Sequence, residues 1–266
     1  MTKVSGQVIW ITGASSGIGE ALTYELAQRG SRLIISSRRK EELERVKGSC
    51  KNEFQNNIRI LPMDLSKPET LDVITEAAVQ FFGHIDILIN NGGISQRSLA
   101  KNTELHVDRR LMEINYFGTV AVTKNLLPSM LQRKSGHIVT VTSLVGKFGS
   151  PYRSGYAASK HALHGFFDSL RAELWKDGIT ISIICPGFIR TQVSVNALTD
   201  KGKPLKKMDK AQQQGMAPEL CAKKIIRAIE KNKEEAYIGG RETYGVILKR
   251  LFPKLFSKIL RKAKVR

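Results

Sequence analysis

Seven short apolar runs alternate with stretches of helical periodicity along this chain. The runs are Val8–Thr12, Arg32–Ser36, Ile58–Pro62, Ile85–Ile89, Ile138–Val141, Ile179–Cys185 and Ala236–Ile238. Most are continuous rather than alternating, as expected of strands covered on both faces. Between them, helical spacing is predicted from the turn at residues 13–19 to Arg29, where Gly30 stops it, and over Glu41–Cys50. Further helices are predicted from Pro68 to about Phe82, over Val107–Gln132, from Tyr156 onward and over Pro218–Asn232. Pro68 sits where a first helical turn tolerates proline. Strand and helix alternating throughout predict one doubly wound α/β domain with a central seven-stranded parallel sheet. It would span residues 1–243, followed by a helical tail over 244–266.

The stretch from Gly136 to Leu174 carries the densest chemistry. Ser143 stands just past a predicted strand, and a Gly-, Ser- and Pro-containing loop leads to a helix bearing Tyr156 and Lys160. Residues four apart share a helix face, so the phenol and the ammonium can lie side by side. A hydroxyl, a phenol and an amine suit moving a proton to or from an oxygen. The bland alternative for Tyr156 and Lys160 alone is a surface pair.

The turn after the first strand reads Gly13-Ala-Ser-Ser-Gly-Ile-Gly19. Glycines between a strand and a helix let a pyrophosphate approach backbone N–H groups at the helix N-terminus. Gly13, Ser15, Ser16, Gly17, Ile18 and Gly19 are therefore candidate dinucleotide contacts. Folds that prefer NAD place Asp or Glu at the end of the second strand. Here that place reads Ser36, Ser37, Arg38, Arg39. A guanidinium can pair with a 2′-phosphate through two charge-assisted hydrogen bonds, so NADP is expected over NAD. Asp64 reads as a turn cap or as an acceptor for adenine, the cap being the simpler reading. Asn115, in mid-helix, reads by itself as an exposed polar residue.

Composition alters this picture little: 41% hydrophobic and 25% charged residues are globular values, with no repeat. Cys50, Cys185 and Cys221 are odd in number and far apart, so neither disulfides nor a metal is expected. The first strand starts near residue 8 and no run of about 18 apolar residues occurs, so a cytoplasmic protein, at most peripheral on membranes, is expected. The formal charge of +19 is uneven. Eight basic residues and no acid lie between Lys249 and Arg266, and five lysines lie between Lys201 and Lys210. No stacking aromatics accompany them, so no nucleic-acid partner is expected.

Taken together, Thr12 to Gly19, Asp64-Leu65, Asn90-Asn91-Gly92-Gly93, Asn115, Ser143, Tyr156-Ala-Ala-Ser-Lys160 and Pro186-Gly187 resemble the short-chain dehydrogenase/reductases. The likeness covers nearly the whole chain. Tyr152 to His161, Phe166 to Glu173 and Val193 to Ala197 are similar to the dehydrogenase/reductase member 7B branch, whose eukaryotic members carry an N-terminal membrane anchor that is not expected here. The resemblance implies a Rossmann-type fold and a Tyr156 acid/base. It implies that Lys160 holds the nicotinamide ribose and lowers the tyrosine pKa, that Ser143 binds the substrate oxygen, and that Asn115 holds a relay water. Asp64 and Leu65 would meet the adenine end, and Asn91, Gly92 and Gly93 the adenosine ribose. Pro186, Gly187 and Ile189 would also meet the cofactor, and Thr191 its carboxamide or its phosphates. Gly92 departs from the family's usual Ala, at some cost in rigidity. A homodimer or homotetramer packed through the helices of Asn115 and Tyr156 is also implied.

Phe188 to Gly215, about residues 188–216, follows the sixth strand and would be the substrate lid. Its lysines read either as contacts for an anion or as solvated. The resemblance implies that Leu144, Val145, Phe148 and Tyr152 line the cleft, with Val145 beside Ser143 and Tyr156 at the substrate. That favours a hydrophobic or lipid-like carbonyl or alcohol, interconverted as NADP-dependent oxidoreductases do. The rival is a non-catalytic NADP-sensing or membrane-surface scaffold on the same fold. The tail places Leu248, Leu251, Phe252, Leu255, Phe256, Ile259 and Ala263 on one side and basic residues, Lys264 included, on the other. It would dock on the protein's own core or a partner subunit, or lie in a membrane interface, with Pro253 marking a kink.

Overall fold

A computed structural model describes residues 2–263; Lys264 and Arg266 lie outside them. In chain order the elements are β1 (Val8–Thr12), α1 (Gly17–Gln28), β2 (Arg32–Ser36), α2 (Lys40–Gly48) and β3 (Ile58–Ile60). Then come α3 (Leu71–Gln80), β4 (Ile87–Asn90), α4 (Leu105–Met112), α5 (Gly118–Arg133), β5 (Gly136–Val141) and α6 (Ser154–Glu173). The chain continues with β6 (Ile179–Pro186), α7 (Pro218–Glu230), β7 (Glu235–Ile238), α8 (Tyr244–Leu251) and α9 (Pro253–Lys262). One-turn helices at Asn52–Gln55 and Lys210–Gln213 lie between them.

The seven strands form one parallel sheet in the order β3-β2-β1-β4-β5-β6-β7. In register, Ile9 faces Leu33 on one side and Ile87 on the other. The direction of winding reverses between β1 and β4, and the crevice outside those strand ends is where such folds bind ligands.

Apolar residues of every strand are buried because both sheet faces are covered. Ile9, Ile11, Leu33 and Ile35 pack with Leu22 and Leu26 of α1 and Ile225 and Ile229 of α7. Trp10, Leu88 and Ile138 pack on the other face with Leu126 of α5 and Phe167 of α6. Trp10 is fully buried, and its indole N–H donates to Ser36 Oγ at 2.9 Å, so its polar atom is satisfied there.

Strand and helix ends fall within a few residues of the pattern-based expectation. The region expected as one helix over Val107–Gln132 differs more. It is α4, then a π-helical turn over Glu113–Phe117, then α5. The cause is local: the buried Asn115 amide grips the backbone of Ile94, and a Cβ on Gly118 would collide with the Leu65 backbone. π-turns of this kind insert one residue to re-aim a side chain.

Candidate active site

The turn after β1 forms one wall of a cleft of about 470 Å³. Gly13 and Gly17 have φ of 66° and 61°, a conformation that favours glycine. A Cβ on Gly13 would lie 2.7 Å from Gly92 Cα, and one on Gly17 would lie 3.0 Å from Thr191 Cγ2. Ser16 makes no side-chain cap at the start of α1, so that helix end offers its N–H groups to an anion. Ser15, Ile18, Ser37, Arg38, Arg39, Asp64, Leu65, Asn91, Gly93, Pro186, Gly187 and Ile189 line the same cleft. The residues thus fit a dinucleotide: an unblocked helix end, close backbone approach and two arginines at one end.

Arg39 Nη2 reaches Ser15 Oγ at 3.5 Å, tying the arginine to the turn. Arg45, which the sequence pattern did not single out, donates to Ser15 O at 3.3 Å and pairs with Glu20 at 2.8 Å. Asp64 Oδ1 accepts from Ser66 N and Ser66 Oγ, the local turn cap expected. Burial alone would raise the Asp64 pKa, but these bonds and the charges of Arg38 and Lys67 bring it below the usual carboxylate value. Asn91 Nδ2 donates to Thr12 O and Gly13 O, so it braces the turn from the neighbouring strand.

Ser143 and Tyr156 line both this cleft and a second cavity of about 560 Å³. Lys160 lines the cleft, its Nζ donates to Val141 O at 3.0 Å, and it sits 5.9 Å from the Tyr156 ring centroid. Gln96 Oε1 accepts from Gly155 N and Tyr156 N, capping the start of α6 and fixing the tyrosine's backbone. Burial pushes the Tyr156 phenol up, opposed by the Arg97 guanidinium, a hydrogen bond with Ser143 and the Arg153 guanidinium. Burial lowers the Lys160 ammonium to about 8. Asn115 is fully buried rather than exposed; its amide donates to Ile94 O and Ser159 Oγ and accepts from Ile94 N.

Leu144, Val145 and Phe148 line the second cavity as expected, whereas Tyr152 does not. Its φ of 66° and its carbonyl, which accepts from Ser98 N, hold it apart. Leu248, Phe252, Phe256, Ile259 and Leu260 of the tail roof this cavity. The tail therefore docks on the protein's own core, and Phe252–Pro253 is a break between α8 and α9. All five lysines between Lys201 and Lys210 are exposed and none lines the cavity; the buried charge of that segment is Asp209.

His164, Cys185 and Glu235 bring ligand-type atoms within 4.8 Å of one another. Lys147 engages Glu235 at 2.7 Å, and burial pushes the Cys185 thiol up to about 12. This trio is a hydrogen-bonded support behind Ser143, with Thr142 bonded to both His164 and Cys185.

A family model described as short chain dehydrogenase matches residues 7–202. The chain belongs to that family. Among curated short-chain dehydrogenase relatives, the dehydrogenase/reductase SDR family protein 7-like of Anopheles gambiae is 44% identical over 267 residues, covering 97% of this chain and 83% of that protein. The family member 7B of Mus musculus is 39% identical, covering 95% of this chain and 80% of that protein. A short-chain dehydrogenase/reductase of Burkholderia phymatum, solved in complex with NAD, superimposes with a TM-score of 0.84 over 96% of each chain at 22% identity. No helix among the described residues is long and apolar enough to cross a membrane.

Proposed function

We propose that the protein interconverts a carbonyl and a secondary alcohol on a hydrophobic or lipid-like substrate, with NADP(H) as cofactor. The observation that carries this reading is the position of Ser143 and Tyr156 at the junction of the two cavities. A carbonyl held there touches the dinucleotide cleft on one side and an apolar chamber on the other. Bound nicotinamide supplies or takes the hydride. Ser143 donates a hydrogen bond to the substrate oxygen, and Tyr156 gives that oxygen its proton as negative charge develops. Lys160 anchors the nicotinamide ribose and adds positive charge beside the phenol, and Asn115 holds the relay water.

The preference for NADP rests on Arg38 and Arg39 after β2, where the sequence carries arginines in place of the Asp or Glu of an NAD-preferring site. Gly13, Ser15, Ser16, Gly17, Ile18 and Gly19 would hold the pyrophosphate, Asp64 and Leu65 the adenine, and Asn91 to Gly93 its ribose. Pro186, Gly187, Ile189 and Thr191 would hold the nicotinamide end. The roof of apolar tail residues supports a substrate with a sizeable hydrocarbon part. An assay of NADPH and NADH oxidation over ketones and aldehydes graded by chain length tests the reading. Turnover that rises with chain length and favours NADPH is expected; no oxidation with any carbonyl supports the non-catalytic scaffold instead.

The tail also supports peripheral contact with an anionic bilayer. Tyr244, Ile247, Leu251 and Leu255 are exposed beside Lys249, Arg250, Lys254 and Lys258. A homodimer or homotetramer remains part of the reading, with Phe117, half exposed on the Asn115 segment, as a contact.

A further inference from the structure

The segment that follows the cleft-lining residues Asn91 to Gly93 is stitched by its backbone to the other walls of the site. Arg97 N donates to Leu198 O and Leu198 N to Ser95 O, both at 2.8 Å, and Ser98 N donates to Tyr152 O at 3.1 Å. Arg97 Nε lies 2.5 Å and Arg153 Nη2 3.3 Å from the same oxygen, Asp209 Oδ2, which adds side-chain ties between these segments. At the centre is Gln96, which is fully buried. Its Oε1 accepts from Gly155 N at 2.8 Å and from Tyr156 N at 3.2 Å. Its Nε2 donates toward Ser98 Oγ, Thr103 Oγ1 and Ser154 Oγ at 3.0, 3.0 and 3.3 Å.

The first turn of a helix leaves N–H groups without intrahelical partners, and a side-chain oxygen that accepts from them fixes that turn. Such caps are ordinarily local. At the start of α6 the oxygen belongs to Gln96, 59 and 60 residues away from the two groups it caps. One of those groups is the backbone N–H of Tyr156 itself. The phenol sits at the far end of a long side chain, so a small tilt of the first turn displaces its oxygen from Ser143. A misplacement of about 1 Å near a reacting group costs on the order of a hundredfold in rate. Gln96 lines neither the dinucleotide cleft nor the apolar chamber, so its only route to the chemistry is through what it holds.

We propose that Gln96 is a positioning residue whose buried amide clamps the start of α6 to the segment after β4. The clamp sets the Tyr156 phenol against Ser143 on one side and against the dinucleotide wall at Asn91 to Gly93 on the other. One end of the amide holds the α6 backbone, and the other is anchored on the hydroxyls of Ser98 and Thr103. The idea rests on Tyr156 being the proton-transfer group.

The test is a double-mutant cycle between Gln96→Met and Tyr156→Phe, with ketone reduction measured per NADPH-binding site and the sites counted by fluorescence titration. Gln96→Met keeps the length of the side chain and removes the amide. It should lower kcat about tenfold or more while KM and the NADPH Kd stay within about twofold. In the Tyr156→Phe background the same substitution should change the residual rate by less than about twofold, because the group it positions is gone. Ser98→Ala with Thr103→Val strips the anchor from the other end of the amide and should lower kcat about threefold or more, which decides the matter where Gln96→Met does not fold. An unchanged kcat in the folded Gln96→Met protein, or in the Ser98/Thr103 double variant where that protein does not fold, overturns the proposal. So does a loss confined to KM, or one equally large with and without the phenol. If Tyr156→Phe alone retains turnover within about tenfold of wild type, the assignment of Tyr156 fails instead, which separates the two outcomes.

Discussion

Phe256 of α9 packs edge-on against Phe148, with ring centroids 5.1 Å apart. Phe148 belongs to the loop between Ser143 and Tyr156, so the last helix is joined directly to the stretch that carries those two residues. Removing the Phe256 ring leaves a cavity and takes away part of the roof. Phe256→Ala should lower stability by about 2–3 kcal/mol, somewhat under a full core value because the site lies at the edge of the core. It should also raise KM for a long-chain substrate more than for a short one. Urea denaturation and paired kinetics check both.

Cofactor choice should follow Arg38. With Asp at that place, a carboxylate meets the 2′-phosphate, and selectivity should move toward NADH by about a hundredfold in kcat/KM, the equivalent of roughly 3 kcal/mol. The ratio of kcat/KM for the two cofactors, in wild type and Arg38→Asp, measures it. An unchanged ratio would remove Arg38 from the cofactor site.

Of the exposed apolar residues on the tail, Leu251 and Leu255 sit outside the cavity lining. Flotation with anionic vesicles should carry the wild-type chain and, at raised salt, carry less of it. Leu251→Glu with Leu255→Glu should not float. Should wild type stay behind, or the double variant instead dissociate a dimer, the face belongs to a subunit contact.

Acid should destabilise the fold through His137. This residue is 2% exposed, bonded to Ser182 Oγ at 2.8 Å, and burial lowers its pKa to about 4. The unfolded chain, with an imidazole near 6.5, binds the proton first. Stability is therefore full above about pH 6.5 and falls as pH drops toward 4, by an amount of order 2–3 kcal/mol. His164, also lowered to about 4, acts in the same direction. Denaturant midpoints at several pH values should show this slope, and His137→Asn should flatten it.

Much of the fold was legible because parallel strands buried on both faces leave continuous apolar runs, and each glycine turn sits at a strand end. The gathering of the candidate site was legible where the motif is local, and Gly13, Gly17, Tyr156 and Lys160 all line the cleft. Gly92 is a subtler case. A Cβ there would lie 2.6 Å from Leu65 Cδ1 and 3.2 Å from Thr12 Oγ1, so the leucine side chain occupies the space an alanine would need. What the pattern did not reveal depends on three-dimensional meeting. Arg97, Arg153 and Asp209 are 56 or more residues apart along the chain, except through their shared carboxylate oxygen. Asn115 looked like an exposed polar residue because a π-turn leaves no trace in helical periodicity. The tail's periodicity marked it as amphipathic but could not say which apolar residues face the cavity and which face outward.

The central claim is that Tyr156 moves the proton while the cleft beside it holds NADP(H). Single-turnover oxidation of bound NADPH by a ketone, in wild type and Tyr156→Phe, tests it most directly, with NADPH binding followed separately by fluorescence. The expected result is unchanged binding and a rate lower by about a hundredfold or more. Turnover within about tenfold of wild type, with binding intact, would contradict it.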